Sequence, residues 1–462
     1  MIARSAAGIA AAVGGAVVSG SPEAAARGVS IDSRSIAAGD AFFAILGERH
    51  DGHDFAAAAA AAGAAVIVAA REVAAPGAAI VRVDDTTAAL GRLGADERSR
   101  RSMAVVAITG SAGKTTTRAL TVAALAARHR VAGSTGNLNN QWGLPLSLLR
   151  LPEEADAAVL EIGINHPGEL APLARIARPD VGVVTNVGTA HIGFFAGPRE
   201  LAEEKAQVVF ETGPGGTGVV HRSSPFLYEI AQRSGRRLVT FDLGGNADLR
   251  PVGVAGDLVG GMRFSVEGVE VRLSLWGEHA VLNALAALGA ARALGVPLAE
   301  AAPRLAAVAP QPGRGRVRRL AHGVVLVDDT YNSNPSAVKA MLAALAVSPW
   351  DGRRVALLGD MYELGDRSPA FHREIGDAAA RSGVELLVTV GQWAHDAAEG
   401  ARAAGLAGAI AFDDVPAAAA ALAGLLQPGD LVLAKASRGV GLERALPAVF
   451  DQFPELAPEG AR

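Results

Sequence analysis

Residues 105–117 read Val105-Val106-Ala107-Ile108-Thr109-Gly110-Ser111-Ala112-Gly113-Lys114-Thr115-Thr116-Thr117, and the fold follows from this stretch. A β-branched apolar run enters a turn with two glycines, and the turn opens an Ala/Leu-rich helix that continues to about His129. That order makes an anion site. Gly110 and Gly113 let the backbone approach a phosphate closely, and the free N–H groups at the helix start point toward it, with Ser111 and Ala112 among the nucleotide-binding candidates. Lys114 supplies a charge for the outer phosphates, the Thr115 hydroxyl can hold Mg2+, and Thr116 joins the nucleotide-binding candidates. Ile108 stands where the eight-residue P-loop has its first Gly, so the form is the shorter T-G-x-x-G-K-T-T.

Working outward, 462 residues exceed one core, and two to four domains are expected. Half of the residues are hydrophobic but only 4% are aromatic, so the cores should be Ala, Val and Leu. A net charge of -4 gives no electrostatic reason for a nucleic-acid or membrane partner. The absence of Cys excludes disulfides and thiolate chemistry. Met1–Gly20 imitates a signal peptide but lacks a Leu-rich centre, and a helix ending at Gly14-Gly15 followed by a strand is expected there. No apolar run approaches the roughly 20 residues of a membrane span. Among 43 basic residues only Lys114, Lys205, Lys339 and Lys435 are lysines. A surface that uses Arg nearly everywhere should keep Lys where a compact or neutral amine is needed, so all four are site candidates.

Three α/β units are expected. Residues 1–102 alternate short strands and helices, with polar turns at Asp32-Ser33-Arg34 and His50–Asp54, and the basic stretch Asp96–Ser102 reads as a linker. Residues 103–315 alternate strand and helix as a mostly parallel, P-loop ATPase-like sheet requires. Within them, a strand ends at Glu161, the next ends before Asn186–His191, and an amide-rich loop holds Asn137 and Asn139. Carboxylate and imidazole at the tips of neighbouring parallel strands, beside Lys114 and Thr115, imply Mg2+ coordination. A helix carrying Lys205 and another opening at Trp276–Asn283 follow. After the breaker Pro310–Arg316, residues 316–462 read as a Rossmann-like sheet whose strand ends carry Asp328-Asp329-Thr330-Tyr331-Asn332-Ser333-Asn334-Pro335, Gly359–Gly365 and Lys435–Gly439.

Taken together in this order, Thr109–Thr116, Gly136–Pro145, Glu161–Gly168, Asn186–His191, Gly277–Asn283, Asp328–Pro335 and Gly359–Gly365 resemble the Mur ligase superfamily of ATP-dependent amide ligases. Within it, D-D-T-Y-N-S-N-P and G-D-M-Y-E-L-G are similar to the branch that joins D-alanyl-D-alanine to UDP-N-acetylmuramoyl-tripeptide in cytoplasmic peptidoglycan synthesis. The resemblance implies ATP and two Mg2+ ions. Lys114 would meet the transferred phosphate, and Thr115, Glu161 and His191 would hold metal. Lys205 matches the lysine that the family carbamylates, and its carbamate would help to hold the second ion. His279 and Asn283 would lie near adenine, Asp329 near ribose, and Arg314 or Arg316 near the phosphates. Residues 1–102 would bind the UDP-sugar-peptide, with Ser33 and Arg34 in its uridine-nucleotide site. Asn137, Asn139, Tyr331, Asn332 and Asn334 complete the substrate candidates, and a monomer is expected. Ala280 stands where the family has Asn. Two rivals stay open: a relative with another substrate, of tripeptide-forming or polyglutamate type, and a non-catalytic P-loop nucleotide-binding protein.

Overall fold

The strand Ala104–Thr109 that feeds the glycine turn lies inside a six-stranded, wholly parallel sheet. The sheet order is Arg237–Phe241, Thr217–His221, Val181–Val184, Ala104–Thr109, Ala157–Glu161, Val131–Gly133. Alternate residues of the central strand face opposite cores. Val105 and Ala107 pack with Leu173 and Leu201, whereas Val106 and Ile108 pack with Leu120, Ala124 and Ala284. Burial on both faces explains why the strand is apolar throughout. The chain leaves Ala104–Thr109 toward one edge, returns through Ala157–Glu161, and then builds outward on the other side from Val181–Val184. The reversal places the glycine turn between two strand ends, where a parallel sheet opens its crevice.

The computed structural model describes Met1 and residues 3–456. Its first unit carries a five-stranded sheet, order Ala16–Ser19, Ala79–Arg82, Val66–Ala69, Asp40–Phe43, Gly28–Ser30, parallel except for the first pair. The opening helix is Ala6–Val13, capped by Ser5 and ended by Gly14 at φ 67°. A small antiparallel sheet (Val252–Asp257, Gly261–Val266, Val269–Leu273) supplements the middle unit. The third unit is a six-stranded sheet in the order Arg316–Arg319, Val325–Asp329, Leu431–Lys435, Arg354–Gly359, Leu386–Val390, Ala409–Phe412, antiparallel only at Arg316–Arg319. The α/β expectation thus holds in all three units.

One expectation fails. The stretch Asp96–Ser102 is not a loose linker, because the helix Thr86–Ser99 runs through most of it. Glu97 is fully buried and receives Arg4 Nη2 at 2.8 Å and Arg101 Nη2 at 2.9 Å. The charges that suggest solvent in the sequence neutralise each other at a junction. Leu146 and Leu149, from the helix Gly143–Leu149, also fill the first unit's core, so the first two units share packed surface.

Candidate active site

Gly110 and Gly113 have φ of 146° and 81°, which side-chain-bearing residues avoid. A Cβ on Gly110 would stand 1.9 Å from Thr185 Oγ1, and one on Gly113 would stand 2.3 Å from Asn283 Oδ1. Both positions therefore need glycine. Between them, the Ser111 and Ala112 amides donate to Asn186 Oδ1 at 3.1 and 3.0 Å. The helix Lys114–Leu125 begins at once, and its first-turn amides have no partner within the helix. Lys114 Nζ donates to Gly110 O at 2.8 Å across the turn. Loss of water around it lowers the Lys114 amine below the usual lysine range, partly offset by Glu161.

Glu161, at the end of its strand, is 4% exposed and accepts from Thr115 Oγ1 at 2.9 Å and Asn139 Nδ2 at 3.0 Å. The hydroxyl and carboxylate expected around Mg2+ are thus in contact, and they are hard oxygen donors. Among the described residues no group of three or more His, Cys, Asp or Glu is gathered to hold a metal. Beyond the neighbouring strand, His191 stands at φ 61° with its Nδ1 2.5 Å from Glu363 Oε2 of the third unit.

The third unit docks directly on the glycine turn. Asn334 Nδ2 donates to Ser111 O at 3.5 Å, and Ser336 N donates to Thr189 Oγ1 at 3.2 Å. Asp329 Oδ2 accepts from Lys435 Nζ at 2.6 Å, and Lys435 also donates to Asn332 O at 2.8 Å. The Arg314 guanidinium lies 4.1 Å from the Tyr331 ring centre. Thr117 Oγ1 donates to Asn283 Oδ1 at 3.2 Å. His279, half-buried on the cavity wall, has its imidazole pushed below the ordinary range chiefly by desolvation.

All of these elements enclose a cavity of about 1210 Å3. Ser111, Ala112, Gly113, Lys114, Thr115, Thr116, Asn137, Asn139, Glu161, His191, His279, Asn283, Arg314, Asp329, Tyr331, Asn332 and Asn334 line it. Arg314 is on the wall; Arg316 begins the outer strand and is exposed. Gly110, buried at the start of the turn, is not on the wall. Lys205, only 1% exposed on the helix Pro198–Phe210, is off the wall, and its amine is held well below the lysine range by burial and then by Lys114. Ala280 is buried in the core, 2% exposed. Ser33 and Arg34 lie outside the cavity, where Arg34 makes a surface fork with Asp32. The scarcity of lysine misleads at Lys339, a surface residue paired with Glu374.

The cavity also contains residues the sequence did not single out. Thr87, Ala88, Gly91, Arg92 and Ala95 bring a face of the helix Thr86–Ser99 to it, and Trp142 Nε1 ties that face down through Thr87 Oγ1 at 3.0 Å. Positions 88, 91, 92 and 95 share one helical face, and that periodicity is the signal available in the sequence.

Three family descriptions match the chain: "Mur ligase family, catalytic domain" over residues 25–98, "Mur ligase middle domain" over 108–291, and "Mur ligase, glutamate ligase domain" over 313–438. A UDP-N-acetylmuramoyl-tripeptide–D-alanyl-D-alanine ligase of Synechocystis is 36% identical over 433 residues, 92% of each chain. The chain belongs to the Mur ligase family. The Escherichia coli ligase of the same name is 33% identical to this Mur ligase over 79% of its chain and 82% of the relative. The crystal structure of MurF from Acinetobacter baumannii superposes on it with a TM-score of 0.90 at 32% identity, covering 97% of this chain and 99% of the other. MurF of Thermotoga maritima in complex with ADP superposes with 0.82 at 32% identity, over 92% and 97%. In a chain of this fold, no helix among the described residues is long and apolar enough to cross a membrane.

Proposed function

We propose that this Mur ligase joins D-alanyl-D-alanine to UDP-N-acetylmuramoyl-tripeptide at the expense of ATP, as a cytoplasmic monomer making a peptidoglycan precursor. The observation that carries the reading is the docking of D-D-T-Y-N-S-N-P against the glycine turn, through Asn334 and Ser111, over one cavity that all three units line. A nucleotide-binding switch has no need of that second sheet or of a buried lysine behind its P-loop. The relatives at 31–37% identity that carry the full ligase name cover most of the chain, which supports this substrate over the tripeptide-forming and polyglutamate alternatives.

A carboxylate cannot lose oxide to an amine, so it is first activated. An oxygen of the tripeptide's terminal carboxylate attacks the γ-phosphorus of ATP, the bond to the β-bridging oxygen breaks, and ADP leaves. The amine of D-alanyl-D-alanine then attacks the carbonyl carbon, the carbon–oxygen bond to phosphate breaks, and a proton and phosphate are released with the amide. Lys114 and the first-turn amides bind the phosphates and spread the charge that develops on the γ-phosphoryl group. Thr115, Glu161 and His191 are the residues that would hold Mg2+, which would neutralise phosphate charge. Asn283 and His279 bind the adenine side, Asp329 the ribose, and Arg314 the phosphates. Asn137, Asn139, Tyr331, Asn332 and Asn334 contact substrate. Ser33 and Arg34 serve the uridine nucleotide, outside the main cavity, in a substrate-binding unit of residues 1–102, ahead of an ATP unit at 103–315 and a ligase unit at 316–462.

Lys205 is proposed as the carbamylated residue near a second Mg2+. Only an unprotonated amine adds CO2, and its burial favours that form. The test of the reading is phosphate release from Mg-ATP with UDP-N-acetylmuramoyl-tripeptide and D-alanyl-D-alanine, beside L-alanine and glutamate. Release only with the D,D-dipeptide is expected. Release with a decoy amine would change the substrate, and none with any amine would favour a non-catalytic protein.

A further inference from the structure

The segment Gly359–Gly365 forms no part of the activation chemistry above, yet it meets His191, which lines the cavity. Glu363 extends its carboxylate from the third unit to His191 of the middle unit, Oε2 lying 2.5 Å from Nδ1 without meeting hydrogen-bond geometry. Nδ1 is buried, and among the described residues no other group is within hydrogen-bonding reach of it. Both partners have left-handed backbone, His191 at φ 61° and Glu363 at φ 64°. Non-glycine residues rarely adopt it, and when they do the surrounding structure must hold them there. The backbones around them are in contact as well. Gly193 N donates to Glu363 O at 3.2 Å, and a Cβ on Gly193 would stand 2.6 Å from Gly365 N. Two strained residues from different units, facing each other across a glycine-to-glycine contact, form a docking point.

Resting on the reading of His191 as a metal-side residue, we infer that Glu363 is its positioning residue: when the third unit docks, the carboxylate takes the Nδ1–H and turns Nε2 toward the phosphate site. An imidazole that serves a metal commonly donates its second ring N–H to such an outer partner. Here that partner belongs to a different unit, so the phosphate site is complete only in the docked arrangement.

Glu363→Gly tests this, because it removes the carboxylate and also relieves the left-handed backbone. Turnover should fall about 10- to 100-fold in kcat, the usual cost of losing an outer partner. KM for ATP should change by less than about 3-fold, since the Lys114 and adenine-side contacts stay, and the thermal midpoint should hold or rise. Glu363→Gln keeps an acceptor and should lose less. The independent readout is the nitrogen spectrum of 15N-histidine-labelled full chain without metal or nucleotide, with His191→Gln assigning the signal. The wild type should show His191 in the Nδ1–H form, and Glu363→Gly should shift it toward the Nε2–H form. An unchanged His191 signal, an unchanged kcat, or a falling midpoint in Glu363→Gly would overturn the proposal. If the wild-type chain joined no amine at all, the ligase reading would fail, while the ring signal would still decide the pair.

Discussion

Replacing Lys205 by Met separates the electrostatics of that lysine from its bulk. The side chain is 1% exposed, and desolvation, then Lys114, hold its amine well below the lysine range. An unfolded chain carries this lysine protonated up to its ordinary value of about 10.4, whereas the folded chain releases the proton earlier. Between the two values the unfolded state binds one more proton, so ν_U minus ν_N is about one and stability rises with pH. The slope is about 1.4 kcal/mol per pH unit. As pH rises between the two values the wild type therefore gains on Lys205→Met at that slope, because the shared titrating groups cancel in the comparison. For a domain of about 150–250 residues each pH unit between the two values moves the difference in melting midpoints by about 3–6 °C. Melts of both proteins in CO2-free buffer at about pH 7 and pH 9 measure it. Met fills the volume without the buried amine, so the variant should be the more stable at pH 7 while its ligase turnover is lost. A difference between the two proteins that does not change with pH would show the amine charged in the fold, and it would refute the argument that Lys205 is kept ready for CO2.

Lys114→Ala should cost about 2.7–4 kcal/mol of transition-state stabilisation, a rate loss of about 10²–10³, with the melting curve little changed; steady-state kinetics check it. Gly113→Ala places a Cβ 2.3 Å from Asn283 Oδ1 at φ 81°, and should weaken ADP binding in calorimetry as well as lower the midpoint. Lys435→Met leaves Asp329 without the partner now 2.6 Å away, which should cost about 3–5 kcal/mol of stability in denaturant titrations. Removing CO2 from the buffer should slow the wild-type enzyme, and added bicarbonate should restore the rate.

Much of the site is legible in the sequence because each parallel strand delivers its polar end to one edge. Glu161 ends one apolar strand and Asn186–His191 follow another of the same parallel sheet, so their convergence on Lys114 follows from topology, whereas Asp328–Pro335 lies at a strand end of a second sheet and arrives by docking of the third unit. What the sequence hides is pairing across units. The charges of Asp96–Ser102 resemble a solvated linker until Arg4, about ninety positions earlier, is seen to reach Glu97. Glu363 is one carboxylate among many until its backbone and its contact with His191 are known. Lys339 shows the limit of compositional argument, since a scarce residue can still sit on the surface. The cavity face at Ala88, Gly91, Arg92 and Ala95 consists mostly of small side chains and carries no chemical signature.

The central claim is that the substrate carboxylate is phosphorylated before the amide forms. It is tested most directly with UDP-N-acetylmuramoyl-tripeptide carrying 18O in its terminal carboxylate, incubated with Mg-ATP, D-alanyl-D-alanine and the full chain. Phosphate released alongside the lengthened peptide should carry one heavy oxygen, taken from the carboxylate when the carbon–oxygen bond breaks. Unlabelled phosphate formed together with the same product would contradict the acyl phosphate and the roles assigned to the residues around it.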